Sequence, residues 1–175
     1  PFDSTSLCHN AVTVLFEDSV GRLWVGTEQG LCLMDRGSGM FHFVNPAEGE
    51  PVSAIRAMVT DGEDRIWVGT DRGLCLLSPE RRTLNPVRSF MPWVTIPDHI
   101  AVQALLFSRD GRLMAGTREG GLYVLDFPER TTERFGTGAA PGHVLSHDDI
   151  LSLYQDRYGD IWIGTNGGGT NRIRL

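Results

Sequence analysis

The sequence predicts an all-β fold, a β-propeller built from four-stranded antiparallel meander blades. Three observations predict it. A strand of the type Leu-Trp-Val-Gly-Thr recurs four times, with its Gly-Thr pair starting at Gly26, Gly69, Gly116 and Gly164. The spacing of 43 to 48 residues between these pairs is typical of propeller blades. The intervening apolar runs are short and rich in β-branched residues, and no segment has helical periodicity.

Each repeat has the same internal order. A first strand is followed by an Asp/Gly turn, the Leu-Trp-Val-Gly-Thr strand, a second turn ending in glycine, and a third strand. The first strands are predicted at residues 12–16, 55–59, 102–107 and 150–154. The third strands are predicted at residues 31–34, 74–77, 122–125 and 170–173. A weaker fourth strand is predicted at residues 40–44, 84–88 and 133–135.

One domain is predicted over residues 1–175, with repeats at about 7–50, 51–97, 98–144 and 145–175. About four blades are therefore present. Residues 1–4 resemble the tail of a preceding repeat, and the chain ends in the third strand of repeat four. The chain thus begins and ends within a repeat, which favours a fragment of a seven-bladed propeller over a closed four-bladed ring. In a closed ring, the N-terminal stretch would have to supply the missing outer strand of repeat four. Exposed blade faces then predict self-association or contact with the remaining propeller blades.

Composition excludes several classes of function. The formal net charge of −6 argues against nucleic-acid binding, which needs a basic surface. No apolar run is long enough to span a membrane, and no signal peptide opens the sequence. Three cysteines suggest neither a disulfide framework nor a zinc site. We interpret Cys32 and Cys75 as small buried hydrophobic residues at equivalent positions, and Cys8 as the more exposed thiol.

The repeats resemble the two-component-regulator propeller repeat. Its pattern stands in repeat one as Leu7-Cys8-His9-Asn10-Ala11-Val12, followed by Asp18, Gly21, Trp24, Gly26, Thr27, Gly30 and Leu31. Repeat four matches with Leu145-Ser146-His147-Asp148-Asp149-Ile150, Asp156, Gly159, Trp162, Gly164, Thr165 and Gly167-Gly168-Gly169. Repeat two lacks the histidine, and repeat three has Met114-Ala115 in place of tryptophan and valine or isoleucine.

This resemblance implies a sensor role. Propellers of that family form the extracytoplasmic half of bacterial membrane signalling proteins, whose cytoplasmic half is a histidine kinase, a hybrid kinase-regulator or a diguanylate cyclase. Relatives in gut bacteria sense glycan fragments. The resemblance therefore implies a periplasmic or extracytoplasmic module that binds a small molecule or oligosaccharide, or a neighbouring domain. It would meet the membrane only through other parts of the parent protein.

The recurring residues favour structural over chemical roles. Trp24, Trp67 and Trp162 occupy one equivalent position and are predicted to pack between blades rather than stack on sugars. The threonines of the Gly-Thr pairs are expected to bond backbone groups. The aspartates of the first turn, Asp18, Asp61, Asp110 and Asp156, are interpreted as turn formers rather than calcium ligands. No phosphate loop, Ser-His-Asp order or paired carboxylates are legible, so we predict no catalytic residue, metal or cofactor.

The candidate ligand site lies where the repeats differ. His9, His99 and His147 share one position, three residues before the first strand, either bonding backbone or forming a partial ring at the mouth of the central channel. In a meander these residues lie at the same end as the turns after each Gly-Thr and as the long loops 45–53, 89–100 and 136–148. Trp93 breaks the repeat pattern in one of these loops. The predicted ligand contacts are His9, His99, His147, Arg72, Arg118, Trp93 and Asn166.

Two other functional classes remain open from the sequence. A propeller lyase would take a metal and a general base from these same loops. A purely structural propeller would only present surfaces to other proteins.

Overall fold

The fold is known from a computed structural model that describes residues 6–175, which form fifteen strands and one turn of 3-10 helix at Val87–Ser89. The strands make four successive antiparallel meanders, which we number blades one to four. The resemblance of residues 1–4 to a preceding repeat lies outside the described residues. No helix in the described part of the chain is long and apolar enough to cross a membrane.

Strand bounds follow the predicted repeats closely. Blade one contains β1 Val12–Glu17, β2 Leu23–Thr27, β3 Gly30–Met34 and β4 Phe41–Pro46. Blade two contains β5 Ile55–Thr60, β6 Ile66–Thr70, β7 Gly73–Ser78 and β8 Thr83–Pro86. Blade three contains β9 Val102–Phe107, β10 Leu113–Thr117, β11 Leu122–Asp126 and β12 Thr131–Phe135. Blade four contains β13 Ile150–Gln155, β14 Ile161–Thr165 and β15 Gly169–Ile173.

The fourth strands differ most from their predicted bounds: β4 runs to Pro46 rather than residue 44, β12 begins at Thr131 rather than residue 133, and β8 ends early. The prediction ran through residue 88, but β8 ends at Pro86 and the chain turns into the 3-10 segment. A proline has no N–H with which to continue a strand ladder, so a sheet edge commonly ends at such a residue.

The first strand of each blade lies innermost. β1 contacts β5, β5 contacts β9, and β9 contacts β13, so these strands succeed one another around the axis. Each first strand carries a β-bulge after its first residue, at Val12, Ile55, Val102 and Ile150. The outer strands β4 and β8 also pair in parallel over a short stretch, with Asn45 opposite Thr83.

Three apolar clusters hold neighbouring blades together. We call the side of a blade that faces the next blade along the chain its front face, and the opposite side its back face. Between blades one and two, fully buried Trp24 and Leu31 on the front face pack against Ile55 and Val68 on the next back face. The cluster between blades two and three contains Trp67, and the cluster between blades three and four contains Met114.

The glycine of each Gly-Thr pair allows this close packing. A Cβ atom built on Gly26 would lie 2.8 Å from Cγ2 of Ile55, and one on Gly116 would lie 2.6 Å from Cγ2 of Ile150. A Cβ on Gly69 would likewise crowd the backbone and side chain of Val102. The first strand of the following blade therefore passes where any other residue would place a side chain.

The threonine of each pair closes the turn that follows it, as expected from the sequence. Its hydroxyl donates to the carbonyl of the glycine that begins the third strand, or precedes it in blade three, at 2.7–2.9 Å. The pairs are Thr27 with Gly30, Thr70 with Gly73, Thr117 with Gly121, and Thr165 with Gly169.

The turn aspartates accept a hydrogen bond from the recurring tryptophan of their own blade. The indole N–H groups of Trp24 and Trp67 donate to Asp18 and Asp61 at 3.0 and 2.8 Å. In blade three the equivalent position is Ser108, not Asp110, because Ser108 makes the same backbone turn to Arg112. The expected equivalence of Asp110 is therefore wrong. Blade three lacks both members of the Asp–Trp hydrogen bond, because Ser108 replaces the aspartate and the side chain of Met114 has no N–H to donate.

Two expectations about buried residues also need correction. Cys8 is not an exposed thiol, because it is buried and forms a disulfide with Cys32 across 24 residues of sequence. Trp162 is not fully packed: it is 39% exposed, whereas Trp24 and Trp67 are 0% exposed. No blade in residues 6–175 covers the front face of blade four, so the same side chain stays open to solvent there.

Candidate functional site

The loops that follow the Gly-Thr pairs gather at one end of the blades, which we call the Gly-Thr loop face. The residue after each pair donates its backbone N–H to the segment just before the first strand of the same blade. Glu28 bonds Ala11, Asp71 bonds Ala54, Arg118 bonds Ala101 and Asn166 bonds Asp149, at 2.9–3.2 Å. The prediction that these turns share an end with the segments before the first strands is confirmed.

Arg56 links blades one and two on this face. It lies in the bulge of β5, and its guanidinium makes paired hydrogen bonds to Asp71 at 2.7 Å and to Glu28 at 2.8 and 3.1 Å. Hydrogen bonding to Arg56, and to a lesser degree its charge and that of Arg118, holds the pKa of Asp71 below its ordinary value despite partial burial. Two carboxylates therefore share one cation, and further hydrogen-bonding capacity stays on the exposed oxygens of Glu28.

A second polar group links blades three and four. Gln103 occupies the equivalent position in β9, and its amide donates to the Asp149 side chain and to the carbonyl of Ile150, the latter at 2.9 Å. Asn166 donates to the other carboxylate oxygen of Asp149 at 3.0 Å. The structure thus brings the predicted contact Asn166 into a network with Asp149 and Gln103.

The predicted histidines sit at the start of their blades. Nδ1 of His9 accepts the backbone N–H of Ala11 at 3.2 Å, and Nδ1 of His147 accepts that of Asp149 at 3.0 Å. An Nδ1 that accepts leaves Nε2 as the N–H donor of the neutral ring. His99 is exposed on the long loop before β9. Their roles as ligand contacts remain predictions.

The two predicted arginines project from the turns after β6 and β10. Arg72 and Arg118 are both exposed. The charge of Arg118 contributes to lowering the pKa of Asp71, so the turns of blades two and three act on each other electrostatically.

Trp93 lies apart from these groups. Its ring packs edge-on against Phe127 at a centroid distance of 5.7 Å and contacts the core cluster of blades two and three. Phe127 belongs to the segment between the third and fourth strands of blade three, which lies at the opposite end of the blade from the Gly-Thr loop face. The structure therefore separates Trp93 from the other predicted contacts.

Arg56, Gln103 and Asp149 were missed from the sequence. A signal exists for the first two, because each is a long polar side chain directly after the first apolar residue of an otherwise apolar strand. The equivalent Thr13 also crosses to the next blade, donating its hydroxyl to the carbonyl of Ile55 at 2.6 Å. A polar residue at this position marks the bulge in blades one to three, while blade four has Leu151.

The side chains of this face are mainly polar or charged. The face combines guanidinium, carboxylate, amide and imidazole groups with solvent access. Among residues 6–175, no group of three or more His, Cys, Asp or Glu side chains is arranged to hold a metal ion. The hydroxyls of the Gly-Thr threonines are buried or nearly so and already bonded to backbone, so they are poorly placed to attack a substrate.

Three of the four repeats match the sequence model of a known family. The sequence model of the family described as "Two component regulator propeller" matches residues 6–29, 49–72 and 144–167. Blade three is unmatched, in keeping with its loss of the Asp and Trp pair. A comparison with curated protein sequences finds no match.

Solved structures share the fold. The extracellular domain of a protein described as a hybrid two-component system from B. thetaiotaomicron is 20% identical, with a TM-score of 0.78 over 97% of this chain and 22% of that one. PorZ, a surface component of the type-IX secretion system of Porphyromonas gingivalis, is 20% identical with a TM-score of 0.68, covering 94% and 26%. Virginiamycin B lyase from Staphylococcus aureus is 11% identical with a TM-score of 0.63, covering 94% and 55%.

These comparisons fix the fold as a β-propeller. The chain spans about a fifth of the length of that two-component extracellular domain, as the 22% coverage states.

Proposed function

We propose that this chain, three of whose four repeats match the two-component regulator propeller model, is an extracytoplasmic ligand-sensing module of a bacterial membrane signalling protein. It binds a ligand and performs no chemistry. The observation that carries the proposal is the Gly-Thr loop face, where the repeated scaffold presents a different set of polar side chains from each blade. Kinase or cyclase output would belong to other parts of the parent protein.

The disulfide supports the extracytoplasmic location. Cys8 and Cys32 form the bond, and such bonds persist mainly in oxidising compartments such as the bacterial periplasm or cell surface. The structural similarity to an extracellular domain of a two-component system agrees with this location.

The ligand we propose is a small polar molecule, with oligosaccharides as one class. Arg118 and Asn166 are exposed on the Gly-Thr loop face, while Glu28 and Asp149 offer carboxylate oxygens on the same face. Hydroxyl-rich ligands exchange hydrogen bonds with such alternating donors and acceptors.

Thermal unfolding with a panel of oligosaccharides and small polar metabolites tests the proposal. A ligand that binds the native state raises Tm, and the shift grows with the logarithm of the ligand concentration above its Kd. Arg118→Ala and Asn166→Ala should each weaken binding about tenfold, the value of one lost hydrogen bond to a charged or oriented group. Arg157→Ala is the matched control, because that guanidinium lies over Tyr158 in the turn at the opposite end.

Three results would contradict the proposal. A ligand bound equally well by wild type, Arg118→Ala and Asn166→Ala would lie elsewhere on the molecule. Turnover of a polysaccharide that stops when a chelator is added would instead favour a metal-dependent lyase. Virginiamycin B lyase has a similar fold. If neither binding nor turnover occurs while a protein partner is bound, a structural interaction propeller is favoured.

A further inference from the structure

A small cavity of about 40 Å³ lies on the Gly-Thr loop face between blades one and two. Its position follows from the meander, because the turns after β2 and β6, the ends of β4 and β8 and the segment before β5 all meet at this end of the blades. Pro46, Pro51 and Pro86 stand around it, and the fixed φ of proline keeps such walls rigid. The cavity is thus a preformed space between two blades that pack on each other within the described chain.

Arg72 lines this cavity as a cation without a carboxylate partner. Its backbone N–H donates to Oγ1 of Thr70 at 3.0 Å, which fixes the base of the side chain beside the cavity. The carboxylates of the surrounding turns and loops are held by other arginines. The pairs are Asp71 with Arg56 at 2.7 Å, Glu50 with Arg88 at 2.5 Å, and Asp98 with Arg88 at 3.2 Å. Within residues 6–175 no carboxylate oxygen lies within 4.0 Å of the Arg72 guanidinium, so its donors are available to a ligand.

Two neutral polar residues also line the cavity. Cys75 is one, and burial raises the pKa of its thiol to about 12, so the thiol is uncharged and does not repel an anion. Ser53 is the other, and its hydroxyl oxygen is closed off from solvent with no hydrogen-bond partner in the part of the chain that the structure describes. Because a buried, unpaired hydroxyl is unfavourable, a ligand group that accepts its O–H after rotation about the Cα–Cβ bond is stabilised.

We propose that this cavity binds the carboxylate of a small organic acid or acidic sugar, with the Arg72 guanidinium paired to the carboxylate oxygens. A water-sized group needs about 10–15 Å³ of cavity, so this one accommodates about three to four non-hydrogen atoms. A carboxylate fits that space better than the larger, tetrahedral sulfate or phosphate. The planar fork of arginine matches a carboxylate through two parallel hydrogen bonds. The inference rests on the proposed ligand-binding role of the Gly-Thr loop face and assigns the ligand a negative charge.

NMR titration of the chain with matched acidic and neutral probes tests this site. D-glucuronate represents the acidic sugars and propionate the short organic acids, while D-glucose and propionamide are their neutral counterparts. We expect at least one of the two acids to shift the backbone resonances of Ser53 and Arg72, and neither neutral probe to do so. Binding of glucuronate alone indicates an acidic sugar as the ligand, and binding of propionate alone indicates an organic acid.

Substitutions at Arg72 separate charge from geometry. Arg72→Ala should weaken binding of the acid about tenfold or more, since it removes a charged hydrogen-bond donor. Arg72→Lys should have an intermediate effect, because lysine keeps the charge but lacks the fork. Arg157→Ala, in the turn at the opposite end of blade four, is the matched control and should bind like wild type.

Ser53→Val provides a readout that a purely structural cavity would not give. Valine replaces the unpaired hydroxyl by an apolar group and fills part of the space, so Tm should stay the same or rise while binding of the acid is lost.

Two results would overturn the inference: neither acid binds at concentrations up to tens of millimolar, or an acid binds equally well to wild type and Arg72→Ala. If a neutral ligand then still binds and loses affinity in Arg118→Ala, the proposed ligand site stands without this subsite. If an acid binds at Arg72 while no ligand responds to Arg118→Ala or Asn166→Ala, the subsite stands and the wider proposed site fails.

Discussion

At the scale of single residues, the turn aspartate acts as the centre of each blade's hydrogen-bond network. One oxygen of Asp61 accepts the backbone N–H groups of Glu63 and Arg65, and the other accepts the Arg65 guanidinium and the Trp67 indole. Burial alone would raise the pKa of Asp61, but these hydrogen bonds outweigh it and hold the pKa below its ordinary value of 3.8. The carboxylate thereby fixes both the turn and the ring that packs between blades.

Replacing this carboxylate should destabilise the fold. Asp61→Asn keeps the size of the side chain but replaces one accepting oxygen by an NH₂ group. That group faces N–H donors, so the buried Trp67 indole or the Arg65 guanidinium loses its acceptor. We expect the free energy of unfolding to fall by about 1–3 kcal/mol at pH 7, measured by urea denaturation. Asp64→Asn in the same turn is exposed and should change it little.

The difference in the free energy of unfolding between wild type and Asp61→Asn should depend on pH. Because the folded pKa of Asp61 is lowered, its ionised form stabilises the fold above the ordinary carboxyl pKa, and that stabilisation is lost as the pH falls through the folded value. The difference in the free energy of unfolding between wild type and Asp61→Asn should therefore become smaller at acidic pH. A gap that stays constant from pH 7 to pH 2 would show that the carboxylate charge is not what stabilises the turn.

The roles of single residues could be predicted from the sequence where the residue acts within a repeated turn. They could not be predicted where the residue contacts a segment that is distant in the sequence. The threonine and aspartate roles follow from local turns, so their positions in the repeat were sufficient. The Cys8–Cys32 bond joins the segment before blade one to β3, which only folding brings together, and cysteine number alone gave no sign of it. The Asp110 misassignment arose because a serine can make the same turn two residues earlier.

At the scale of the strands, the Gly-Thr glycine determines how closely blades approach. Gly69 faces Val102 of blade three, whereas Gly164 faces only the Ser152 side chain of its own strand pair. The space beside Gly69 is filled by backbone and side-chain atoms of the next blade. The space beside Gly164 is filled by a serine hydroxyl, which can rotate away.

This difference predicts unequal effects of one added methyl group. Gly69→Ala should lower the free energy of unfolding by about 1–3 kcal/mol, the usual cost of overpacking a core. Gly164→Ala should lower the free energy of unfolding clearly less, with both variants measured by urea denaturation. Equal losses for the two would mean that strand conformation, and not the inter-blade contact, requires the glycine.

Strand order and type were predictable because the apolar runs, turns and period agree with one another. The end of β8 at Pro86 was missed because the apolar pattern continues through Val87, which is buried in the core without being in a strand. The Arg56 network was missed because its partner Glu28 lies in another blade, and only the register of neighbouring blades places the two side chains together.

At the scale of the whole molecule, the disulfide ties the segment before blade one to β3. Closing a loop of this length stabilises a fold mainly by restricting the unfolded chain. The remaining cysteine, Cys75, occupies the equivalent position in blade two, where burial raises the pKa of its thiol to about 12. Two equivalent cysteines thus have different chemical states.

Removing the disulfide should destabilise the whole chain. Cys32→Ser, or reduction of the wild type, should lower the free energy of unfolding by about 2–4 kcal/mol. Cys75→Ala is the control that leaves the disulfide intact. Thiol titration of the native oxidised chain should detect Cys75 only slowly, and its rate should rise on unfolding. Rapid reaction of two further thiols without reductant would contradict the Cys8–Cys32 bond.

The bulge at the start of every inner strand has an evolutionary consequence. Thr13, Arg56, Gln103 and Leu151 stand at one backbone position, yet they differ in size, charge and polarity. Selection can vary this position blade by blade without touching the Trp, Gly and Thr residues that build the scaffold. The bulge therefore separates the side chain that each blade presents from the residues that hold the blades together.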